Sequence, residues 1–249
     1  MIQRVGLITG CGKGIGLAIC KKFLKEEKDT FIIAISKSIN EEINVLVEKY
    51  PSNFRFFKAD IIDYKKIETI LKKSYEEFGK IDFAICNAGV RSRSSILDSD
   101  LNLYRSIFEV NCIANINISK ILIEKNLKIN KKLNLLLISS IVGSRGFKDL
   151  TTYAVAKSAL EGFMKSTAIE YGDKNIQINC IAPGFTTSSY AENFRQAKKE
   201  LYKWTIEQTP MKRWGTCEEI AELSIFAVSD KNSFMTGTVL YCDGGWTAK

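Results

Sequence analysis

Tyr153 and Lys157 stand four residues apart in a segment, Thr152 to Tyr171, whose pattern reads as helix. Four residues is about one helical turn, so a phenol and an ammonium share one face. An ammonium beside a phenol favours the phenolate form, which equips such a pair to move a proton onto or off an oxygen. Ser140 follows closely on an apolar, strand-like run, Leu133–Ile138. Brought alongside, its hydroxyl can hydrogen-bond a carbonyl. The chemistry on offer is proton transfer at a carbonyl or alcohol oxygen. Tyr-x-x-x-Lys also occurs on ordinary solvated helices, so the pair means little until the rest of the chain is shown to serve it.

The elements that would position these groups begin with Val5–Thr9, a short apolar run that ends in TGCGKGIG, Thr9 to Gly16. Ile15, Ile19, Phe23 and Leu24 then recur at helical spacing. A strand, a glycine loop and a helix start present backbone N–H groups to a diphosphate. Gly10, Gly14 and Gly16 follow G-x-x-x-G-x-G spacing rather than G-x-G-x-x-G. Glycines also serve plain tight turns, so it is the strand-loop-helix context that favours a nucleotide. The next strand, Thr30–Ile35, ends in Ser36 and Lys37, where NAD-binding folds carry a carboxylate for the ribose hydroxyls. A hydroxyl and an ammonium accept a 2′-phosphate that a carboxylate would repel, and Lys13 in the glycine loop points the same way. NADP(H) is therefore expected over NAD(H), against the plainer reading of two more lysines in a lysine-rich chain. Phe54–Lys58 is a third strand ending in Ala59-Asp60-Ile61, and a polar helix covers Tyr64–Phe78. Ile81–Cys86 is a fourth strand that runs into Asn87-Ala88-Gly89, small residues that let a ligand approach a strand's carboxyl end. A long helical region from about Asp100 to Lys128 holds Asn111 among apolar neighbours. Alone, such a residue is structural by default, its side chain bonding to backbone or water.

Strands alternate with helices through Ile138, and again through Ile176–Ile181 and Val239–Cys242, which gives an α/β fold. The expectation is one Rossmann-type, doubly wound domain over residues 1–249, with a seven-stranded parallel sheet and no dividing linker. Pro183-Gly184 breaks the chain after the sixth strand. The amphipathic, aromatic stretch from Phe185 to about Thr209 then reads as a mobile cover over the site, without tight sheet pairing. A length of 249 residues can bury a full core, and 45% hydrophobic with 26% charged residues is ordinary for a globular protein. The formal charge of +8 admits an anionic partner, but the lysines are dispersed among glutamates and read better as compositional background. Seven cysteines without a C-x-x-C pair read as buried, reduced thiols. The absence of histidine excludes His-based metal sites and Ser-His or Cys-His nucleophiles. No signal peptide and no membrane-spanning apolar run are seen, so a cytoplasmic location is expected.

In this order the pieces resemble the short-chain dehydrogenase/reductase family over essentially the whole chain. The matches are Thr9-Gly10-x-x-x-Gly14-x-Gly16, Asp60, Asn87-Ala88-Gly89, Asn111, Ser140, Tyr153-x-x-x-Lys157 and Pro183-Gly184. The resemblance implies Tyr153 as general acid or base, Lys157 as holder of the nicotinamide ribose, and Ser140 as donor to the substrate oxygen. It also implies Asn111 as anchor of a water relay. Ser139 is the nearest competitor for the serine role, and the family's spacing selects Ser140. The glycine loop, Gly10, Gly14, Ile15 and Gly16, would present its backbone to the diphosphate, and Lys13, Ser36 and Lys37 would face the adenosine ribose and its 2′-phosphate, while the resemblance implies Asp60 and Ile61 as the adenine contact. Asn87, Ala88 and Gly89 line the cofactor, and Pro183, Gly184 and Ser188 surround its nicotinamide. Cys86 and Cys11 depart from the family's usual residues, and bulk at Cys11 is expected to tighten the diphosphate turn.

Two substrate readings follow from the resemblance. The favoured one is a 3-oxoacyl-(acyl carrier protein) reductase of fatty-acid synthesis, with Lys131, Lys132 and Lys174 near the positions that face the acidic carrier. The other is a keto-sugar, polyol or gluconate-type dehydrogenase, to which the tail GTVLYCDGGWTAK looks closer. Arg195, Lys198 and Lys199 suit an anionic substrate under either. A nucleotide-sensing or nucleic-acid-binding regulator on the same fold is the distant alternative, disfavoured because all four catalytic positions are filled. No nucleic acid, membrane or metal partner is expected, and the family implies a homotetramer.

Overall fold

The computed structural model describes residues 2–187 and 194–248. Seven parallel strands form its sheet: β1 (Arg4–Thr9), β2 (Thr30–Ser36), β3 (Phe54–Lys58), β4 (Phe83–Cys86), β5 (Leu133–Ile138), β6 (Ile176–Pro183) and β7 (Val239–Cys242). Their spatial order is β3-β2-β1-β4-β5-β6-β7, so the order reverses direction between β1 and β4. That reversal opens a crevice at the carboxyl ends of the strands. The central strands read TFIIAIS and LNLLLI and are buried along their whole length, because helices cover both faces.

One face is covered by α1 (Gly14–Glu26), α2 (Glu41–Lys49) and, near the end of the chain, a helix over Cys217–Val228. Phe23 of α1 stacks on Phe83 of β4 with ring centroids 4.9 Å apart in this layer. The other face takes α3 (Tyr64–Phe78), α4 (Leu101–Phe108), α5 (Ala114–Lys128) and α6 (Thr151–Tyr171). Ile67 and Leu71, Ile118 and Leu122, and Leu160 and Met164 supply its core contacts. After α6 come α7 (Lys199–Gln208) and the Cys217–Val228 helix, α8. A capping box starts α8: Thr216 accepts from Glu219 N, and the Glu219 carboxylate accepts from Thr216 N.

The structure departs from the sequence reading at four places. The fourth strand begins at Phe83 rather than Ile81. The long helical region is not one helix, because a π-helical turn, Glu109–Ile113, separates α4 from α5 and centres on Asn111. That region, Leu101–Lys128, is long and apolar enough to cross a membrane by length and composition, contrary to expectation, but half of its most apolar window is buried inside the protein. The segment after Pro183 does pair: Thr186–Thr187 lies parallel to Gly215–Thr216 in a two-stranded sheet of its own.

Candidate active site

Register places the functional loops side by side. Thr9 pairs with Cys86 and Cys86 with Leu137, while Ile138 pairs with Ile181. The residues following β1, β4, β5 and β6 therefore emerge together, and with the ends of β2 and β3 they wall a cleft of ≈ 700 Å³. Gly10, Lys13, Gly14, Ile15, Ser36, Lys37, Asp60, Ile61, Asn87, Ala88, Gly89, Ser140, Tyr153, Lys157, Pro183 and Gly184 all line it. Gly16 and Asn111 stand behind the wall, and Ser188 lies outside the described residues.

In the loop after β1, Gly10 sits at φ +69°, and a Cβ there would lie 2.6 Å from Ala88 Cα. Only glycine fits both the conformation and the gap. Asn87 braces this loop, its Nδ2 donating to Thr9 O at 3.1 Å and Gly10 O at 3.0 Å. Thr9 Oγ1 returns the tie by accepting from the N–H groups of Asn87 and Ala88, each at 3.1 Å. Asn40, the cap of α2, donates to Gly12 O at 2.8 Å. The sequence reading missed Thr9 and Asn40 as loop braces, although an Asn at a helix start signals a cap. It also misjudged Cys11, whose side chain is fully buried in the core among Ile8, Ile19 and Cys20, away from the cleft. Its bulk packs into the core and does not line the cleft.

Lys37 Nζ lies 2.9 Å from Asp60 Oδ2, where the ends of β2 and β3 meet the cleft. Burial pushes the Asp60 carboxyl up, but Lys37 and the N–H groups of Ile62 and Ile61 outweigh it and hold the carboxyl below its usual value. The described thiols are all free, and burial raises the Cys86 thiol to about 12. Among the described residues no group of three or more His, Cys, Asp or Glu side chains is arranged to hold a metal.

At the chemical end, Lys157 is almost fully buried, and its Nζ donates to Ile138 O at 2.6 Å. The same atom lies 5.6 Å from the centroid of the Tyr153 ring. Ser139 and Ser140 are told apart by their partners. Ser139 is buried and donates to Glu161 Oε1 at 2.6 Å. Ser140 stays partly exposed at the cleft and caps a short turn, Ile141–Gly143, accepting from Val142 N at 3.4 Å. Burial pushes the Glu161 carboxyl above its usual value, against the opposing pull of Ser139, Lys165 and Lys157. Asn111 is fully buried, donating to Val90 O at 2.8 Å and Ile107 O at 3.0 Å and accepting from Val90 N at 3.0 Å. Its Oδ1 lies 2.5 Å from where a Gly89 Cβ would be, so it backs the segment after β4.

Beyond Tyr153 the wall changes character. Val142, Phe147, Leu150, Phe185 and Trp214 line it. Phe185 stacks on Trp214 at 5.4 Å, and Trp246 packs behind Phe147 and Phe185 at 5.8 and 5.0 Å. Trp214 Nε1 donates to Thr205 Oγ1 of α7 at 2.8 Å, which satisfies its one polar group. The aromatic residues of the 185–209 stretch are legible in the sequence. Their convergence with Phe147, Trp214 and Trp246 is not, because those three stand far apart along the chain.

A glycine cradle at a crevice between β1 and β4, with polar groups at the end of β2, fits a dinucleotide. A family model described as enoyl-(acyl carrier protein) reductase matches residues 10–247. The 3-oxoacyl-(acyl-carrier-protein) reductase FabG of Chlamydia muridarum is 31% identical over 98% of both chains. An uncharacterized oxidoreductase of Thermotoga maritima is 33% identical, again over 98% of both. The solved structure of ElxO with NADP bound superposes with a TM-score of 0.91 over 99% of both chains, at 27% identity. By its fold, by its crevice and by these likenesses, the chain belongs to the short-chain dehydrogenase/reductase family of oxidoreductases, which act on the CH–OH/C=O pair.

Proposed function

We propose that this protein is an NADP(H)-dependent ketone reductase of the 3-oxoacyl-(acyl carrier protein) reductase type. Bound in the cleft, the nicotinamide cofactor supplies the hydride, and the protein supplies orientation and the proton. Tyr153 delivers its phenolic proton to the carbonyl oxygen as negative charge develops there, and takes it back in the oxidative direction. Ser140 donates to the same oxygen and fixes its direction. Lys157, anchored on Ile138 O, places its ammonium beside the ring and reaches toward the ribose. Asn111 holds the Val90 backbone behind them and is assigned the anchoring of a water relay. Ser36, Lys37 and Lys13 favour the 2′-phosphate, with Asp60 sharing Lys37 in its absence.

The observation that carries the substrate class is the wall of Val142, Phe147, Leu150, Phe185 and Trp214. An acyl chain or another apolar body gains from burial against it, at about 25 cal/mol per Å² of apolar surface. A polyol would have to give up water for few polar partners there. This favours the 3-oxoacyl reading over the keto-sugar one. Lys131 and Lys132 precede β5 and Lys174 precedes β6, so within one chain they lie at the sheet edge opposite the cleft. Lys132 is also paired with Asp230 at 3.1 Å. A carrier protein docked there serves a cleft only if a second copy supplies it, so that reading goes together with a homotetramer. The whole chain then acts as one catalytic unit, with residues 185–209 as its cover, of which 188–193 lie outside the described residues, in the reducing cytoplasm that seven free thiols suit.

The test is NADPH consumption with acetoacetyl-thioester beside a panel of keto-sugars and 2-keto-acids, each repeated with NADH. Turnover of the thioester, weaker with NADH, supports the proposal. Turnover confined to a keto-sugar would overturn it in favour of the polyol reading.

A further inference from the structure

Helix α6 carries Tyr153 and also grips the turn that carries Ser140. Three contacts make the grip. Lys157 Nζ donates to Ile138 O at 2.6 Å, just before the turn. Ser158 Oγ donates to Gly143 O at 2.7 Å, at its far end. Between them, the Glu161 carboxylate accepts from Ser139 Oγ at 2.6 Å, one residue before Ser140. Glu161 lies four residues beyond Lys157 and eight beyond Tyr153, on the same face of the helix.

A carboxylate only 6% exposed is a costly choice for packing alone, since an apolar side chain of similar size fills space without desolvating a charge. The turn is also shaped around it. A Cβ at Gly143 would lie 2.3 Å from Glu161 Oε1 and 3.0 Å from Ser139 Oγ, so that position leaves no room for a side chain while the carboxylate is in place. We infer that Glu161 is a positioning residue: through Ser139 it sets the register of Ser140 against Tyr153. It touches neither substrate nor cofactor. The inference rests on Ser140 and Tyr153 acting at the substrate oxygen.

Four variants test it: Glu161→Gln, Glu161→Ala, Gly143→Ala and the Gly143→Ala/Glu161→Ala pair. Each is assayed for kcat and KM with acetoacetyl-thioester, for NADPH binding by fluorescence, and for amide exchange over residues 139–145. A misplacement of about 1 Å at a reacting group costs about 10²-fold, so Glu161→Ala is expected to lose kcat by about 10 to 100-fold with NADPH affinity kept. Glu161→Gln keeps an acceptor for Ser139 and is expected to stay within about threefold of wild type. Gly143→Ala displaces the carboxylate and should resemble Glu161→Ala, while the double variant should be no worse than either, since the two act through one contact. Faster exchange over 139–145 in Glu161→Ala, absent in Glu161→Gln, is the matching structural readout. If Glu161→Ala does not fold, Gly143→Ala carries the test, because it removes no bonding group. Equal kcat in all variants, equal losses in Glu161→Gln and Glu161→Ala, or unchanged exchange would each overturn the inference. Absence of turnover in the wild type would count against the proposed function, and the exchange measurement would still decide the role of Glu161.

Discussion

Replacing Asn111 separates a bracing role from a merely polar one, because its amide faces groups of opposite demand. Nδ2 points at two carbonyls, Val90 O and Ile107 O, and Oδ1 receives the Val90 N–H. Each bond contributes about 1 kcal/mol net. Asn111→Ala forfeits all three, but Val90 is exposed enough to recover water, so a loss of about 2 kcal/mol is expected. Asn111→Asp keeps the contact to Val90 N and sets an acceptor against both carbonyls. Ionised and fully buried, that carboxylate should cost about 3 to 5 kcal/mol. Burial raises its folded pKa and the Lys157 ammonium beyond Gly89 opposes this; with burial the larger effect, the native state binds the extra proton more tightly. The Asp variant is then least destabilised below the unfolded value of about 3.9 and loses stability as pH rises through the raised folded value. Urea unfolding at pH 5 and pH 8 reads this directly. Asn111→Asp should approach Asn111→Ala at the lower pH and fall clearly below it at the higher. Equal stability of the two variants at both pH values would refute the bracing geometry, as would an Asp variant as stable as wild type.

Lys37→Ala removes a largely exposed ammonium, so a modest weakening of NADPH binding is expected, about fivefold, with NADH nearly unchanged; equal effects on both cofactors would remove Lys37 from 2′-phosphate recognition. The Arg213 fork and the Thr216 N–H hold Glu219 at about 2. Its contribution is therefore full above the unfolded value of about 4.3 and is lost as pH falls toward about 2, so the melting-temperature gap between wild type and Glu219→Gln should narrow from pH 5 to pH 3. Thr216→Ala opens the capping box of α8 and should cost about 1 kcal/mol in urea unfolding, without changing KM for the ketone. Burial raises the Glu161 carboxyl, so the native state favours its proton and stability declines as pH rises above the unfolded value. Glu161→Gln should flatten that slope just above the unfolded carboxylate value of about 4.3.

Much of the fold was legible in the chain because parallel strands covered on both faces leave continuous apolar runs, as in β2 and β5, that end in small residues. Leu133–Ile138, Tyr64–Phe78 and Val239–Cys242 fall where the pattern sets them. The helix α8 did not register, since its apolar residues face both α1 and the sheet and blur the period. The π-turn at Asn111 has no sequence period of its own. In the site, glycines, Tyr153 and Lys157 carry short-range signatures. Glu161 and the aromatic wall do not, because Ser139–Glu161 and Phe147–Trp246 are contacts made only by the fold. Cys11 misled for a related reason: sequence places it in the glycine loop but is silent on which way its side chain points.

The most direct measurement is single-turnover oxidation of prebound NADPH by acetoacetyl-thioester, in wild type beside Tyr153→Phe. With Tyr153 as proton donor, the variant should bind NADPH as tightly as wild type yet lose the chemical step by a factor of about 10² or more. A variant that oxidises the cofactor at the wild-type rate would contradict the assignment of Tyr153 and the mechanism built on it.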